Sequence, residues 1–440
     1  MVVACLEDSG IRFRVNRLAM FYQLPQNELA PLFFMNSTRT TRRDFLGKSI
    51  TAGVGFAAGL RTLSFGPVAK ASPYDPTTIT ATVGISKGPD RADNAFRACQ
   101  LFKHDIAAAI GNKRVVIKVN FVALPSSGNV CAYTRVEHVE GILEFLKSIG
   151  KRDVVVAESP AGGNTISGYD QCGYWPLTKK YPVKLMDLNQ EGFVNGQIWQ
   201  YGSSSNAAQK AIRLCKLYFN PNLFIISATP LKTHNTVVVT MSAKNIGMSA
   251  PLIDFGWSLS QSGPWGPMTP KYWMHGYAGG TSYPPGDFQA LNDNVYRMLA
   301  IYNIRPHLAV LDAYQGTEHN GPHLGSFIAD PQQLAVVSRD WLAADRIGLT
   351  LMGKHVYVVL NHTQDGHEMP YPAVLNYCWQ AGLGEWDDRK IQVVGDLGSL
   401  TGYALKGNAS VYNYQSNDNQ ASQLGMRTTP REGTLVNSIT

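Results

Sequence analysis

Residues 223–236 read Leu-Phe-Ile-Ile-Ser-Ala-Thr-Pro-Leu-Lys-Thr-His-Asn-Thr. The first five form a short, almost wholly apolar run, the pattern of a strand covered on both faces. Such strands belong to sheets sandwiched by helices. Lys232, Thr233 and His234 then fall just past the strand's carboxyl end. In open α/β sheets that edge is where ligands bind.

The same theme extends in both directions. Strands are predicted at 79–85, 114–121, 153–157 and 183–188. Helices are predicted at 92–110, stopping near Gly111-Asn112, and at 135–149, where Val139, Ile142, Leu143, Phe145 and Leu146 share a face before Gly150. Downstream, 291–304, 340–352 and 374–382 read as helices, and 307–312, 334–338 and 391–395 as strands. Alternation at this spacing predicts an α/β fold, a mainly parallel sheet flanked by helices.

Residues 252–287 break the pattern, with Trp257, Trp265, Tyr272, Trp273, Tyr277 and Tyr283 among many Gly, Pro and Ser. This irregular aromatic-rich insertion reads as a lid over a small molecule or as a loop packed by its own rings. The main domain spans 76–400, as one unit or as two subdomains divided near 250–290. Residues 414–440 are rich in Asn, Gln, Ser and Thr and read as a loosely held polar tail.

Near the start, Thr41-Arg42-Arg43-Asp44-Phe45-Leu46-Gly47-Lys48 precedes a weakly apolar run over 50–60 and the small-x-small site Ala69-Lys70-Ala71. This looks like a twin-arginine export signal. It implies the twin-arginine translocation machinery as partner, a periplasmic or extracytoplasmic location, and a core and any cofactor assembled before export. Met35 lies just upstream of the arginine pair. Residues 35–71 therefore read as the signal peptide, and 1–34 as a segment ahead of the true start or a disordered extension.

The chain carries 39 Lys+Arg against 32 Asp+Glu. Residues 1–71 hold nine and four of these, so the remainder is close to neutral. That gives no electrostatic case for nucleic acid. No apolar run reaches the roughly 18 residues that cross a bilayer, so no transmembrane segment is expected beyond the signal peptide. Cys99, Cys131, Cys172, Cys215 and Cys378 follow the leader, none spaced Cys-x-x-Cys, so neither a zinc ribbon nor a ferredoxin-type iron–sulfur cluster is signalled. Cys99 and Cys215 fall in apolar helical patterns and read as buried. Cys131 and Cys172 are a candidate disulfide in an oxidising compartment.

The densest polar group is Lys232, Thr233 and His234 with Thr240, Lys244 and Asn245. If 237–246 is helical, Thr240 and Lys244 share a face. Two lysines, a histidine and an asparagine outline an anion-binding or acid/base site; the plainer alternative is solvated lysines and a satisfied loop histidine. Glu158, past the 153–157 strand, would reach the same edge, since parallel strands deliver their ends to one side. Glu158, Thr233 and Thr240 are candidate cofactor contacts. Asp340 suits a helix N-cap, whereas Asp345 would face the pocket or a basic partner.

A second constellation, Asp312, Glu318, His319 and His323, is a candidate metal set on a Gly-rich loop. Asn320-Gly321-Pro322 between the histidines argues against a metal-binding helix, and a tight turn with exposed histidines is the alternative. There is no dinucleotide-type glycine fingerprint and no Gly-x-Ser-x-Gly elbow.

Pro230-Leu231-Lys232-Thr233-His234, then Lys244-Asn245-Ile246-Gly247, resembles the signature of the family called domain of unknown function 362. Further similar pieces follow in order: Arg305-Pro306-His307-Leu308-Ala309-Val310-Leu311-Asp312, the Gly316–Gly325 loop with His319 in place of a usual Gly, Asp340 with Asp345, and Gly382-Leu383-Gly384. Glu158-Ser159-Pro160 resembles its strand-end acidic motif. The resemblance covers roughly 80–396 and implies an α/β domain. Many members carry an appended ferredoxin-like cysteine cluster, which suggests redox work, but this chain lacks those cysteines. The family is also distantly similar to nickel-pincer lactate racemases; only the Lys232 and His234 neighbourhood compares, and that cofactor is not carried over.

The combined expectation is an exported enzyme acting on a small anionic substrate, by redox or isomerase chemistry with a metal or other cofactor. Lys232 or Lys244 would hold the anion and His234 would be the general acid/base, with Asn245 and Asp345 beside them. The alternatives are an exported metal- or small-ligand-binding protein without turnover, and an accessory to an exported redox complex.

Overall fold

The structure, a computed structural model, describes residues 79–122, 133–160, 164–201, 207–234, 237–253, 262–263, 266–267, 270–275, 287–318, 326–327, 332–352 and 373–396. The leader, the polar tail, most of the aromatic insertion, Cys131, His319 and His323 lie outside them. The amino-terminal half runs β1 (Ala81–Lys87), α1 (Arg91–Gln100), α2 (Lys103–Ile110), β2 (Arg114–Lys118), α3 (Val136–Ser148), β3 (Val154–Glu158), α4 (Thr165–Gln171), α5 (Trp175–Lys180) and β4 (Val183–Asp187). A hairpin, β5 (Phe193–Tyr201) and β6 (Ala207–Cys215), leads into β7 (Leu223–His234), β8 (Val238–Val239) and α6 (Ser242–Gly247). Then come β9 (Ser262–Gly263), β10 (Gly266–Pro267), α7 (Pro270–Trp273), α8 (Asp287–Tyr296), β11 (Leu308–Glu318) and β12 (Ser326–Phe327). β13 (Leu334–Ser338), α9 (Trp341–Leu351), α10 (Ala373–Gln380) and β14 (Ile391–Gly395) follow.

The main sheet has the order β14-β1-β13-β11-β7-β2-β3-β4. Within this order only β13 runs against its neighbours, and the short β8 and β12 add antiparallel pairs to β7 and β11. This is the α/β architecture expected from the alternating pattern. Each face carries its own core. Val116, Val155, Ile225, Leu311 and Val336 point to one, with α6, α8, α9 and α10. Val115, Val156, Phe224, Val310 and Val337 point to the other, with α1, α3 and α5.

One topological detail places the site. The helix after β2, α3, packs on the second face, whereas the helix after β7, α6, packs on the first. β2 and β7 are neighbours, so their consecutive connections leave the carboxyl ends in opposite directions. This is the switch point at which α/β sheets hold ligands.

Several local expectations need correction. The 92–110 helix is two, α1 and α2, interrupted at Leu101-Phe102. Residues 237–246 are not one helix: Val237-Val238-Val239 favours extended backbone, β8 pairs with Thr233 and His234, and α6 begins only at Ser242. Thr240 therefore precedes the helix that carries Lys244. The strand predicted at 223–227 continues to His234. Pro230, with no N–H for the ladder, sits where the β7–β11 register shifts between Asp312 and Thr317. The 291–304 helix is α8 followed by one π-helical turn, Arg297–Ile301. The β5–β6 hairpin was not expected. Cys215 closes β6 rather than lying on a helix. Cys172 is a free thiol, and so are Cys99, Cys215 and Cys378, all buried. Burial pushes the Cys99 and Cys172 thiols up to about 12, leaving them unreactive at neutral pH.

α6 is too short to be stable alone, and its position is imposed from outside. Asp345, in the middle of α9 rather than at its start, accepts from the Ser242 and Ala243 N–H groups, both at 2.8 Å. It thus caps one helix from the flank of another. Gly348, one turn further, gives the close approach: a Cβ there would lie 2.6 Å from Met241 Sδ and 3.1 Å from Leu231 Cδ2.

Asp345→Ala should lower unfolding free energy by about 2 kcal/mol in urea titration, since two buried N–H groups lose their acceptor; a change under about 0.5 kcal/mol would remove the capping role. Gly348→Ala should cost about 1–3 kcal/mol by overpacking, read in the same titration, and a neutral result would mean that Met241 yields freely.

Candidate functional site

Lys118 and Asn120 leave the end of β2 two residues apart, so they share a face. Glu158 and Ser159 end β3, Lys232 lies near the end of β7, and Asn245 sits on α6. All six are buried. Lys118 Nζ lies 2.6 Å from Glu158 Oε1, a pair with side chains 3% and 2% exposed. Glu158 also accepts from the Phe121 N–H at 2.8 Å and the Ser159 N–H at 2.7 Å. Burial holds the Lys118 ammonium pKa below its ordinary value, while Glu158 pulls it back up.

Asn245 ties the strands to α6. Its Oδ1 accepts from Lys118 Nζ at 3.1 Å and Asn120 Nδ2 at 3.2 Å. Its Nδ2 donates to Lys118 O at 3.1 Å and Ser227 Oγ at 3.0 Å. With two bonds on each side, the amide has used its capacity. Asn245 therefore positions other groups. Lys232 Nζ donates to Asn120 Oδ1, on the other side of the same asparagine.

A further lysine comes from the insertion. Lys271, on α7 and 2% exposed, donates to Ser159 Oγ at 3.0 Å and Met248 O at 2.6 Å. Ser159 Oγ in turn donates to Ser249 O at 3.2 Å. Burial first, and the Lys118 charge second, bring the Lys271 pKa down to about 7. His234 is 3% exposed, and its Nδ1 accepts from the Val237 N–H at 3.4 Å, which leaves the proton of the neutral ring on Nε2. Lys244 and Thr240 are buried in the adjoining segment, 7% and 1% exposed.

The structure thus brings Lys232, Asn245 and Glu158 into one network and places His234, Thr240 and Lys244 on the segments beside it. The backbone of Thr233 pairs with Val239. Asp345 supports α6 from behind. Asp312, of the same parity as Val310 in the second core, has its Oδ1 3.3 Å from Arg91 Nε. Glu318 is the last residue of β11, and among the described residues no three His, Cys, Asp or Glu side chains are grouped to hold a metal ion.

Lys118, Asn120 and Lys271 were missed as site residues. The first two had a signal: in Arg-Val-Val-Ile-Lys-Val-Asn-Phe they interrupt a buried strand on one face. Lys271 had none, since its place depends on how the insertion folds back.

Comparison with known proteins gives a family. No curated protein matches the chain. A structural-genomics crystal structure of a Thermotoga maritima protein is similar at 11% identity and a TM-score of 0.35, covering 60% of this chain and 60% of that one. The model of the family described as Domain of unknown function (DUF362) matches residues 115–350. That match takes in more than half of the chain, from β2 through nearly all of α9, including every described strand end that builds the lysine cluster, and the chain belongs to the DUF362 family.

Proposed function

We propose that the crevice between the carboxyl ends of β2 and β7 binds a small anionic substrate and transfers protons to or from it. The observation that carries this reading is the burial of Lys118, Lys232 and Lys271 around one another at the switch point. Lys118 and Glu158 neutralise each other. Lys271 adds a cation whose hydrogen bonds go to neutral oxygens. A buried ammonium such as that of Lys271 is costly unless an anion offsets its charge.

In this reading Lys232 and Lys271 hold the anionic group, and Asn120 orients Lys232. His234 exchanges the proton with the substrate, its neutral form accepting and its imidazolium form donating. Lys118, Glu158, Asn245 and Asp345 fix the geometry from behind. Isomerisation through proton abstraction and redox chemistry with a cofactor both fit such a site, and Lys244, Thr233 and Thr240 adjoin it for cofactor contacts. Binding without turnover is the second reading, supported by the same lysines but leaving His234 without a task. The twin-arginine motif at Arg42-Arg43 and the Ala69-Lys70-Ala71 site support export to an extracytoplasmic compartment.

An anionic probe such as oxalate should bind more weakly as pH rises through about 7, because Lys271 loses its proton there and a bound anion favours the protonated form. Calorimetry from pH 6 to 8.5 should show this dependence, and Lys271→Met should abolish it. An unchanged profile in that variant would exclude Lys271 from the site.

Lys232→Gln should weaken oxalate binding at least tenfold with the thermal transition retained. His234→Ala should leave oxalate binding within about threefold but abolish proton exchange with solvent at an acidic C–H of a bound 2-hydroxy acid, followed by NMR. Exchange absent from the wild type as well would favour the binding-only reading. Export is checked separately: Arg42→Lys with Arg43→Lys should retain the protein in the cytoplasm, and wild-type mature protein should begin at Ser72.

A further inference from the structure

The opposite edge of the sheet carries a second polar groove, of about 780 Å³. It is lined by Leu223 at the start of β7, by residues 303–307 ahead of β11, by Arg339 and Asp340 after the reversed strand β13, and by Gly382-Leu383-Gly384. The groove therefore lies at the amino ends of β7 and β11, away from the lysine cluster at their carboxyl ends. The Arg305-Pro306, Asp340 and Gly382-Leu383-Gly384 pieces of sequence, which the carboxyl-edge site leaves unused, meet here.

Its charge is one-sided. Arg305 is only partly exposed, and its hydrogen bond goes to a neutral group, Asn303 Oδ1. Asn303 itself turns the chain at φ 55°, a conformation asparagine tolerates. Arg339 reaches Asp105 at 3.2 Å, but both side chains are largely solvated, which leaves the guanidinium exchangeable. The one carboxylate in the lining, Asp340, is committed to the N–H groups of Leu342, Ala343 and Glu385 at 3.0, 3.0 and 2.8 Å. His307 lies in the same groove. Its Nδ1 accepts from the Ile225 N–H at 3.0 Å, so the ring is neutral with its proton on Nε2. Burial, then Lys113, Arg339 and Arg305, depress its pKa to about 4, with no carboxylate acting in the other direction.

We propose that this amino-edge groove is a second binding site, distinct from the carboxyl-edge crevice, for a small molecule carrying phosphate or carboxylate groups, held by Arg305 and Arg339 with the His307 Nε2–H as a further donor. Guanidinium groups present paired donors that match either oxyanion, and a partly buried guanidinium without a carboxylate gains most from one. The groove's volume suits a metabolite-sized ligand.

The test follows the His307 ring resonances of the full-length protein by NMR at pH 7 during titration with inorganic pyrophosphate and, separately, citrate; His307→Gln assigns the signals. Saturable shifts with either probe are expected. A response to pyrophosphate alone identifies the ligand as a phosphate compound, and one to citrate alone as a carboxylate. Arg305→Gln should weaken the apparent affinity at least tenfold and Arg339→Gln severalfold, each with an unchanged thermal transition. Lys232→Gln, at the other edge, should leave the response intact. No shift with either probe at 10 mM, or shifts undiminished in Arg305→Gln, would overturn the proposal.

Discussion

The buried Lys118–Glu158 pair and the amide of Asn245 hold the carboxyl edge together. A lysine and a glutamate removed from water lose several kcal/mol of hydration each, which their attraction repays only if the remaining lone pairs and protons are also bonded. Here they are. Glu158 takes two backbone N–H groups besides the ammonium, and Lys118 reaches Val119 O and Asn245 Oδ1 besides the carboxylate. Asn245 converts that pair into a constraint on tertiary structure, because its Nδ2 donates to β2 and β7 at once. Two strands and a helix are thereby locked at the point where ligand chemistry would need rigidity.

The two sides of α6 show how a short helix is held in place. Asn245 binds one side to the sheet, and Asp345 supplies acceptors to its first turn. Burial pushes the Asp345 carboxyl up to about 7, and the two N–H donors counter this only in part. An acid at that depth is costly to ionise, and Gly348 one turn away removes the side chain that would keep α9 from closing on Met241. Lysine-rich edge and acid-capped helix are therefore mechanically coupled.

The two edges of the sheet also divide the charge. At the carboxyl edge the cations are lysines, buried, compact and adjustable in pKa, which suits groups that respond to a substrate. At the amino edge they are arginines, permanently charged and more exposed. The strands β7 and β11 run between the two edges.

Much of this was legible in the chain. The apolar runs at 223–227, 114–121 and 153–157 announced parallel strands, because a strand covered on both faces has no polar alternation. Once those strands are parallel, Glu158 and Lys232 must reach the same edge, and both do. The family signature around Lys232 and Lys244 marked residues that the structure buries beside Asn120 and Asn245. Other decisions belonged to the tertiary structure. Asp312 lies beside Arg91, a partner far away in sequence that no local spacing names. Whether 237–246 coils or extends was settled by β8 pairing with Thr233 and His234, a contact that outweighs a weak local preference. Lys271 joins the cluster through hydrogen bonds to Ser159 and Met248, and no local pattern encodes those contacts. Sequence alone determined which residues are compatible with a buried edge; the order of strands, a property of long-range pairing, decided which of them meet.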